Sequence, residues 1–222
     1  MQQVMIPVRM FFSKTGRAKY ISHLDTMRTF TRAFRRTHLP LWDTQGFNPH
    51  LYMTFPLPLA LGVESHREAV DFRLTQELDF GQVAQELVDA LPPGFEVVEV
   101  AEPVMPASAI AWAEYELRLA YPPMEREAML FALKELFAKP SIEVIKKSKK
   151  GEVLTDIRPH TTLLDCKVDD SGLWMSVGLA AGSTLNISPR LLLEAFEKDT
   201  RPADSVKILR TAILDAGRKP FV

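Results

Sequence analysis

The chain has 222 residues, of which 46% are hydrophobic and 25% charged, with a formal net charge of −1. These are ordinary globular proportions, so disordered and fibrous classes drop out. The single cysteine, Cys166, excludes an intramolecular disulfide and any multi-cysteine zinc or iron–sulfur site.

The N-terminal MQQVMIPVRMFF lacks the apolar core and small-residue cleavage site of a signal peptide. The most apolar run, Met53 to Val63, is broken by Pro56 and Pro58 and is too short to span a bilayer. A cytoplasmic protein with no membrane contact is expected. Its charge is segregated. Residues 1–50 carry eight Lys/Arg against two Asp/Glu, and residues 51–103 carry two against ten. Asymmetry of this kind marks an interaction surface.

In chain order, Val4 to Phe12 reads as a strand, broken at Lys14-Thr15-Gly16-Arg17, with Ala18 to Ile21 returning as a short strand. Ser22 caps a helix with Asp25 in the capping-box position, and Leu24, Met27, Phe30 and Phe34 form its apolar face. Leu39 to Trp42 reads as a strand and Gln45 to His50 as a loop around Gly46 and Asn48-Pro49. Tyr52 to Leu61 is Pro-rich and suits a sheet edge. Ala69 to Thr75 is a strand, Asp79 opens a helix over Val83, Leu87, Val88 and Leu91, and Phe95 to Val100 is a strand after Pro92-Pro93-Gly94. The order is β-α-β-β-α-β, the ferredoxin-like split unit.

Glu102 to Ala109 is the expected linker. Beyond it come a strand (Glu114 to Tyr121), a helix (Glu125 to Ala138), two strands joined by Lys149-Lys150-Gly151, a hairpin across Asp169 to Gly172, a helix capped by Ser188 with Pro189 at its first position, and a last strand, Val206 to Leu214. The expected fold is therefore α+β. It comprises tandem ferredoxin-like units with antiparallel sheets, one over 1–103 with the basic helix and the Gln45–His50 loop, the other over 112–222.

The first helix carries Arg28, Arg32 and Arg36 four residues apart, with Lys14, Arg17 and Lys19 in its lead-in. Cations at this spacing beside a helix N-terminus make an electrostatic footprint for nucleic acid. They are equally a solvated face paired with the acidic segment that follows. The Gln45–His50 loop could stack a base on Phe47 or Tyr52 and read its edge with Asn48 or Gln45. The plainer alternative is a structured turn satisfied by Asn48 and His50. His23, Asp25, His50 and His160 lack metal-ligand spacing, so no metal is expected. No glycine-rich nucleotide loop is present, and Cys166 between Asp165 and Lys167 suits packing better than nucleophilic work.

Three blocks, Phe12-Ser13-Lys14-Thr15-Gly16-Arg17-Ala18-Lys19-Tyr20-Ile21-Ser22-His23-Leu24-Asp25, Gln45 to His50, and Pro58 to Ser65, resemble the radical-SAM-linked protein family of unknown function. Asp156-Ile157-Arg158-Pro159 and Arg210-Thr211 extend the resemblance over nearly the whole chain. It implies a domain that occurs alone or fused to radical-SAM, cobalamin-type proteins. After His50 the chain has Leu51-Tyr52 where many family members carry Pro-Lys, so no lysine contact is carried over.

These readings converge on a non-catalytic module without a cofactor of its own. It would bind tRNA or rRNA through Lys14, Arg17, Lys19, His23, Arg28, Arg32, Arg36, Gln45, Phe47, Asn48, His50 and Arg158. It would present that RNA to a radical-SAM partner, which supplies the cluster chemistry. The alternatives are a metal-independent endoribonuclease of the repeat-associated RNA-processing type, using His23 or His50 as base, and a protein–protein adaptor without nucleic-acid contact.

Overall fold

The computed structural model describes residues 5–148 and 151–222. The chain is α+β with antiparallel strand pairing. It divides into two units, residues 1–110 with Phe221–Val222, and Ala111–Pro220. Val4 and the Lys149-Lys150 turn lie outside the described residues. None of the described helices is long and apolar enough to cross a membrane.

The first unit runs β1 (Ile6–Lys14), α1 (His23–Phe34), β2 (Met53–Thr54), β3 (Val63–Leu74), α2 (Phe80–Ala90) and β4 (Phe95–Ala101). Its strands lie in the order β4-β1-β3, with β2 on the far side of β3. β1 is antiparallel to both neighbours, pairing Phe11 with Ala69 on one side and with Glu99 on the other. Val8, Met10 and Phe12 face α1 and α2 and pack with Phe30, Phe34, Val70, Phe72, Val83, Leu87 and Phe95. Phe12, Phe30, Phe55 and Phe95 form a nest of tilted and edge-on rings with centroids 4.8 to 6.2 Å apart. Each such buried ring contributes roughly 2–3 kcal/mol through area alone.

Local chemistry sets both helix starts. The Ser22 hydroxyl accepts from the Asp25 N–H, and the Asp79 carboxylate accepts from the N–H groups of Gly81 and Gln82. Three expectations are corrected. Ala18 to Ile21 is not a strand, because Gly16 takes a φ of +57° and turns the chain into a 3₁₀ turn over Gly16–Tyr20. Leu39 to Trp42 makes only isolated bridges around Pro40, which has no N–H to donate to a ladder. Leu24 is exposed and the buried face is Thr26, Phe30, Ala33 and Phe34. Thr26 is tolerated inside because its hydroxyl donates to the Ser22 carbonyl.

The second unit runs β5 (Ile110–Ala120), α3 (Arg126–Ala138), β6 (Glu143–Ser148), β7 (Gly151–Asp156), β8 (Thr161–Asp169), β9 (Gly172–Ala180), α4 (Pro189–Glu197) and β10 (Ser205–Asp215). The order is β10-β5-β9-β8, with β6 and β7 as a separate two-stranded ladder. Leu117, Leu119, Leu133, Val177, Leu179, Leu192 and Phe196 are buried at its centre. The β8–β9 hairpin turns at Gly172, whose φ is +134° and where a Cβ would sit 2.1 Å from the Leu119 carbonyl oxygen. Only glycine fits there.

Phe221 and Val222 belong with the first unit because they are tied to it. The Val222 carbonyl accepts from the Met105 N–H and from Arg9 Nη1, and the Phe221 ring lies under the Arg9 guanidinium.

Candidate nucleic-acid interface

The lead-in to α1 is held from two directions. The Thr15 N–H donates to the Gly94 carbonyl at 3.0 Å, and the Gly16 N–H donates to Glu64 Oε1 at 2.9 Å. Lys14, at the end of β1, points to the core side and is only 2% exposed. Its ammonium donates to the Ile21 carbonyl at 2.8 Å, clamping the turn that delivers Ser22 and His23. Glu68 on β3 is 3% exposed. Together with Phe12, His23, Thr26, Phe55 and Leu59, these two charged groups line a cavity of about 10 Å³, room for about one water.

The His23 ring meets Phe55 edge-on at 5.4 Å. Burial lowers its pKa from the ordinary value and the Lys14 charge lowers it further, so the imidazole is neutral at neutral pH. A neutral imidazole, an ammonium and a carboxylate around one water-sized space could hold or pass a proton. Glu68 belongs to no motif in the sequence. The signal was present, since it shares strand parity with Val70 and Phe72, which face the core.

The cations divide by their partners. Lys19 pairs with Glu64 at 3.4 Å and lies 5.4 Å from the exposed Tyr20 ring. Arg28 pairs with Asp25 at 3.1 Å on the exposed surface. Arg17 and Arg32 are exposed and make no ion pair among the described residues. Arg36 lies beyond the end of α1 and donates to the Ala90 carbonyl at 2.7 Å, so it caps the C-terminal end of α2. Its neighbour Arg35 pairs with Asp43. The cations without an ion pair among the described residues are thus Arg32 and Arg17, while Arg28 is held only by its exposed pair with Asp25.

The Gln45–His50 loop is a braced projection. At its base the Thr44 N–H donates to the His50 carbonyl at 2.8 Å and the His50 N–H to Thr44 Oγ1 at 3.2 Å. His50 Nδ1 lies 3.0 Å from both the Thr44 hydroxyl and the Asn48 carbonyl. Gln45 donates to the Asp43 carbonyl. Below the loop, Trp42 meets Tyr52 edge-on at 5.8 Å, and the Arg73 guanidinium lies 4.2 Å from the Tyr52 ring. Gly46 takes a φ of +135°, and the next residue, Phe47, stands fully exposed. His50 is engaged in closing the loop and His23 in lining the pocket, and every hydrogen bond of His50 stays within 44–50.

Arg158 is in the second unit. Its N–H donates to Asp156 Oδ1 at 2.9 Å and its guanidinium to the Thr161 carbonyl at 3.4 Å, so it braces its own turn. Among the described residues no group of three or more His, Cys, Asp or Glu could hold a metal.

No curated protein matches the chain. Among solved structures it is similar to a chain of a Cbf5-Nop10-Gar1 complex, at 12% identity and a TM-score of 0.48, over 93% of this chain and 48% of that one. It therefore spans about half the length of that relative. An unknown protein from Galdieria sulphuraria matches at 12% identity and a TM-score of 0.28, over 93% of this chain and 99% of the other. A CRISPR-associated protein from Thermus thermophilus matches at 14% identity and a TM-score of 0.19, over 90% and 92%. Scores this low carry no argument about activity. The family model that matches spans residues 8–189, and the chain belongs to that family, described as an uncharacterized protein conserved in bacteria (DUF2344).

Proposed function

We propose that the chain is a non-catalytic RNA-binding module that presents single-stranded RNA to a partner. The observation that carries this is Phe47, a fully exposed aromatic ring at the tip of a loop held by hydrogen bonds at its neck. An apolar ring on an ordered projection gains nothing from solvent, whereas stacking on a base contributes about 1–3 kcal/mol. Arg28, Arg32 and Arg17 supply sequence-independent attraction to phosphates.

In the finer fold reading, each unit is a ferredoxin-like split β-α-β-β-α-β unit. The strand order β4-β1-β3-β2 supports this for the first. For the second, the support is the order β10-β5-β9-β8, with β6–β7 as an insertion. The proposed partner is a radical-SAM protein that modifies tRNA or rRNA. Cys166 alone cannot bind an iron–sulfur cluster, so the redox chemistry belongs to that partner.

The test is a titration of a fluorescent single-stranded oligoribonucleotide. Phe47→Ala should weaken binding by about tenfold with unchanged unfolding, the loss of one stacked base. Equal affinity for both proteins would remove the loop from the interface, and no binding by the wild type would leave the adaptor reading.

A second reading rests on the lowered pKa of His23, which suits a general base in RNA cleavage. His23→Ala would then abolish a wild-type cleavage activity while binding persists.

A further inference from the structure

Among the described residues nothing covers the outer face of α3. α1 and α2 each leave one large apolar residue exposed, Leu24 and Val88, whereas α3 and the turn before it expose two, Met124 and Phe131, on one side. Leu133, Leu136 and Phe137 face the second unit's core. On the opposite side Met124, in the turn before the helix, is 90% exposed and Phe131 is 66% exposed, with Ala128 and Ala138 exposed in line with them and Glu135 exposed on the other flank. Beside Phe131 lies a cleft of about 220 Å³ lined also by Ala132, Glu135, Leu136 and Phe196 and by the Lys139–Asp199 ion pair. A helix with an apolar stripe on two sides has one of them left for a partner.

The charges on this face say which partner. Glu127 and Lys134 are exposed, lie two turns apart on the same flank of the Met124–Phe131 stripe, and make no ion pair among the described residues. In an antiparallel pair of helices the same flanks of the two helices meet. If α3 packs on α3 of a second copy, with the two-fold axis beside Phe131, Glu127 of each copy faces Lys134 of the other. Both ion pairs form at once. At the centre the two Phe131 rings pack together, and each Met124 meets the small Ala138 of the other copy.

We infer that the outer face of α3 is an isologous interface, and that its occupant is a second copy of this chain. The face is one short helix, so the dimer is weak, at the low end of specific interfaces. It lies in the second unit, whereas the proposed RNA surface lies in the first, so the two proposals succeed or fail separately.

The experiment is sedimentation velocity of the full chain over a wide concentration range, with far-UV circular dichroism to check folding. Wild type should pass from monomer to dimer as concentration rises. Glu127→Lys and Lys134→Glu should each weaken the dimer by about tenfold or more, because each replaces two attractions by two repulsions across the axis. Phe131→Glu should abolish it. The double variant Glu127→Lys/Lys134→Glu should dimerise like wild type, a rescue that a heterologous contact elsewhere on the surface would not give. A wild type that stays monomeric throughout, or a folded double variant that stays monomeric, would overturn the inference.

Discussion

Arg9 and Asp71 sit directly opposite each other on β1 and β3, and one carboxylate takes two hydrogen bonds from one guanidinium, at 2.6 and 2.8 Å. Arg9 is 1% exposed, its third donor reaches the Val222 carbonyl, and Phe221 covers its plane at 4.1 Å. Removing one partner of such a pair strands the other charge in a poorly solvated place. Asp71→Asn should lower unfolding stability by about 2–3 kcal/mol in urea titrations. Arg9→Met with Asp71→Leu should recover most of that, since no charge is then left behind. A single-variant loss within about 0.5 kcal/mol would mean that solvent replaces the carboxylate freely.

Gly94 holds the α1 lead-in by contact as well as by hydrogen bond. Its φ is +90°, and a Cβ there would lie 2.7 Å from Ala18 Cβ and 3.0 Å from the Thr15 carbonyl oxygen. Gly94→Ala should cost about 1–3 kcal/mol. The 3₁₀ turn should loosen with it, which faster amide exchange at Thr15 and Ile21 would report. Unchanged protection at both amides would show that β1 alone fixes the turn.

The lowered pKa of His23 makes stability fall with acid in a defined window. Its causes are burial first and the Lys14 charge second. The unfolded chain, with an ordinary imidazole near pH 6.5, takes the proton first as pH falls. Stability linked to His23 is therefore complete above about pH 6.5 and is lost as pH drops through the lower folded-state value. Asp25, stabilised as the anion by the Ser22 hydroxyl and Arg28, and Asp156, by the N–H groups of Arg158 and Ile142, contribute stability that is complete above about pH 4 and is lost only as pH falls below it, outside this window. Urea midpoints measured from pH 7 to pH 5 should decline more steeply for wild type than for His23→Gln. Superimposed profiles would rule out the pocket as the cause.

The salt dependence of RNA binding should separate the three arginines of the stripe. Arg28→Ala with Arg32→Ala should lower the slope of log affinity against log salt by roughly 1.4, about 0.7 per phosphate contact on a single strand. Arg36→Ala should leave the slope nearly unchanged, because that guanidinium is committed to the Ala90 carbonyl. Equal effects from all three would mean that Arg36 leaves α2 on binding.

Features that depend on a few adjacent residues were legible in the sequence. Ser22, Asp79 and Ser188 cap helices because each needs only its own side chain and an N–H two or three residues on. Features set by residues far along the chain were not. Ala18 to Ile21 alternates like a strand, and becomes a 3₁₀ turn because the Gly94 carbonyl holds Thr15. Leu24 fits a helical stripe, yet the axis of α1 is fixed by Phe30 and Phe34 in a nest built from β1, β4 and Phe55. Lys14 and Arg36 read as solvent-facing cations. The first is buried against the Ile21 carbonyl and the second is drawn to the end of a helix that starts 44 residues later.

The seven residues from Val8 to Lys14 are buried on both faces of a strand that has neighbours on both sides. Their amides are exposed only if β3 or the edge strand β4 comes away from β1. Proton exchange along this strand therefore requires a large opening of the unit and should be among the slowest in it. The tip that carries Phe47 is joined to this strand through no ladder of its own. It can rearrange around a ligand on a fast timescale while the strand keeps time with the slowest event in the unit.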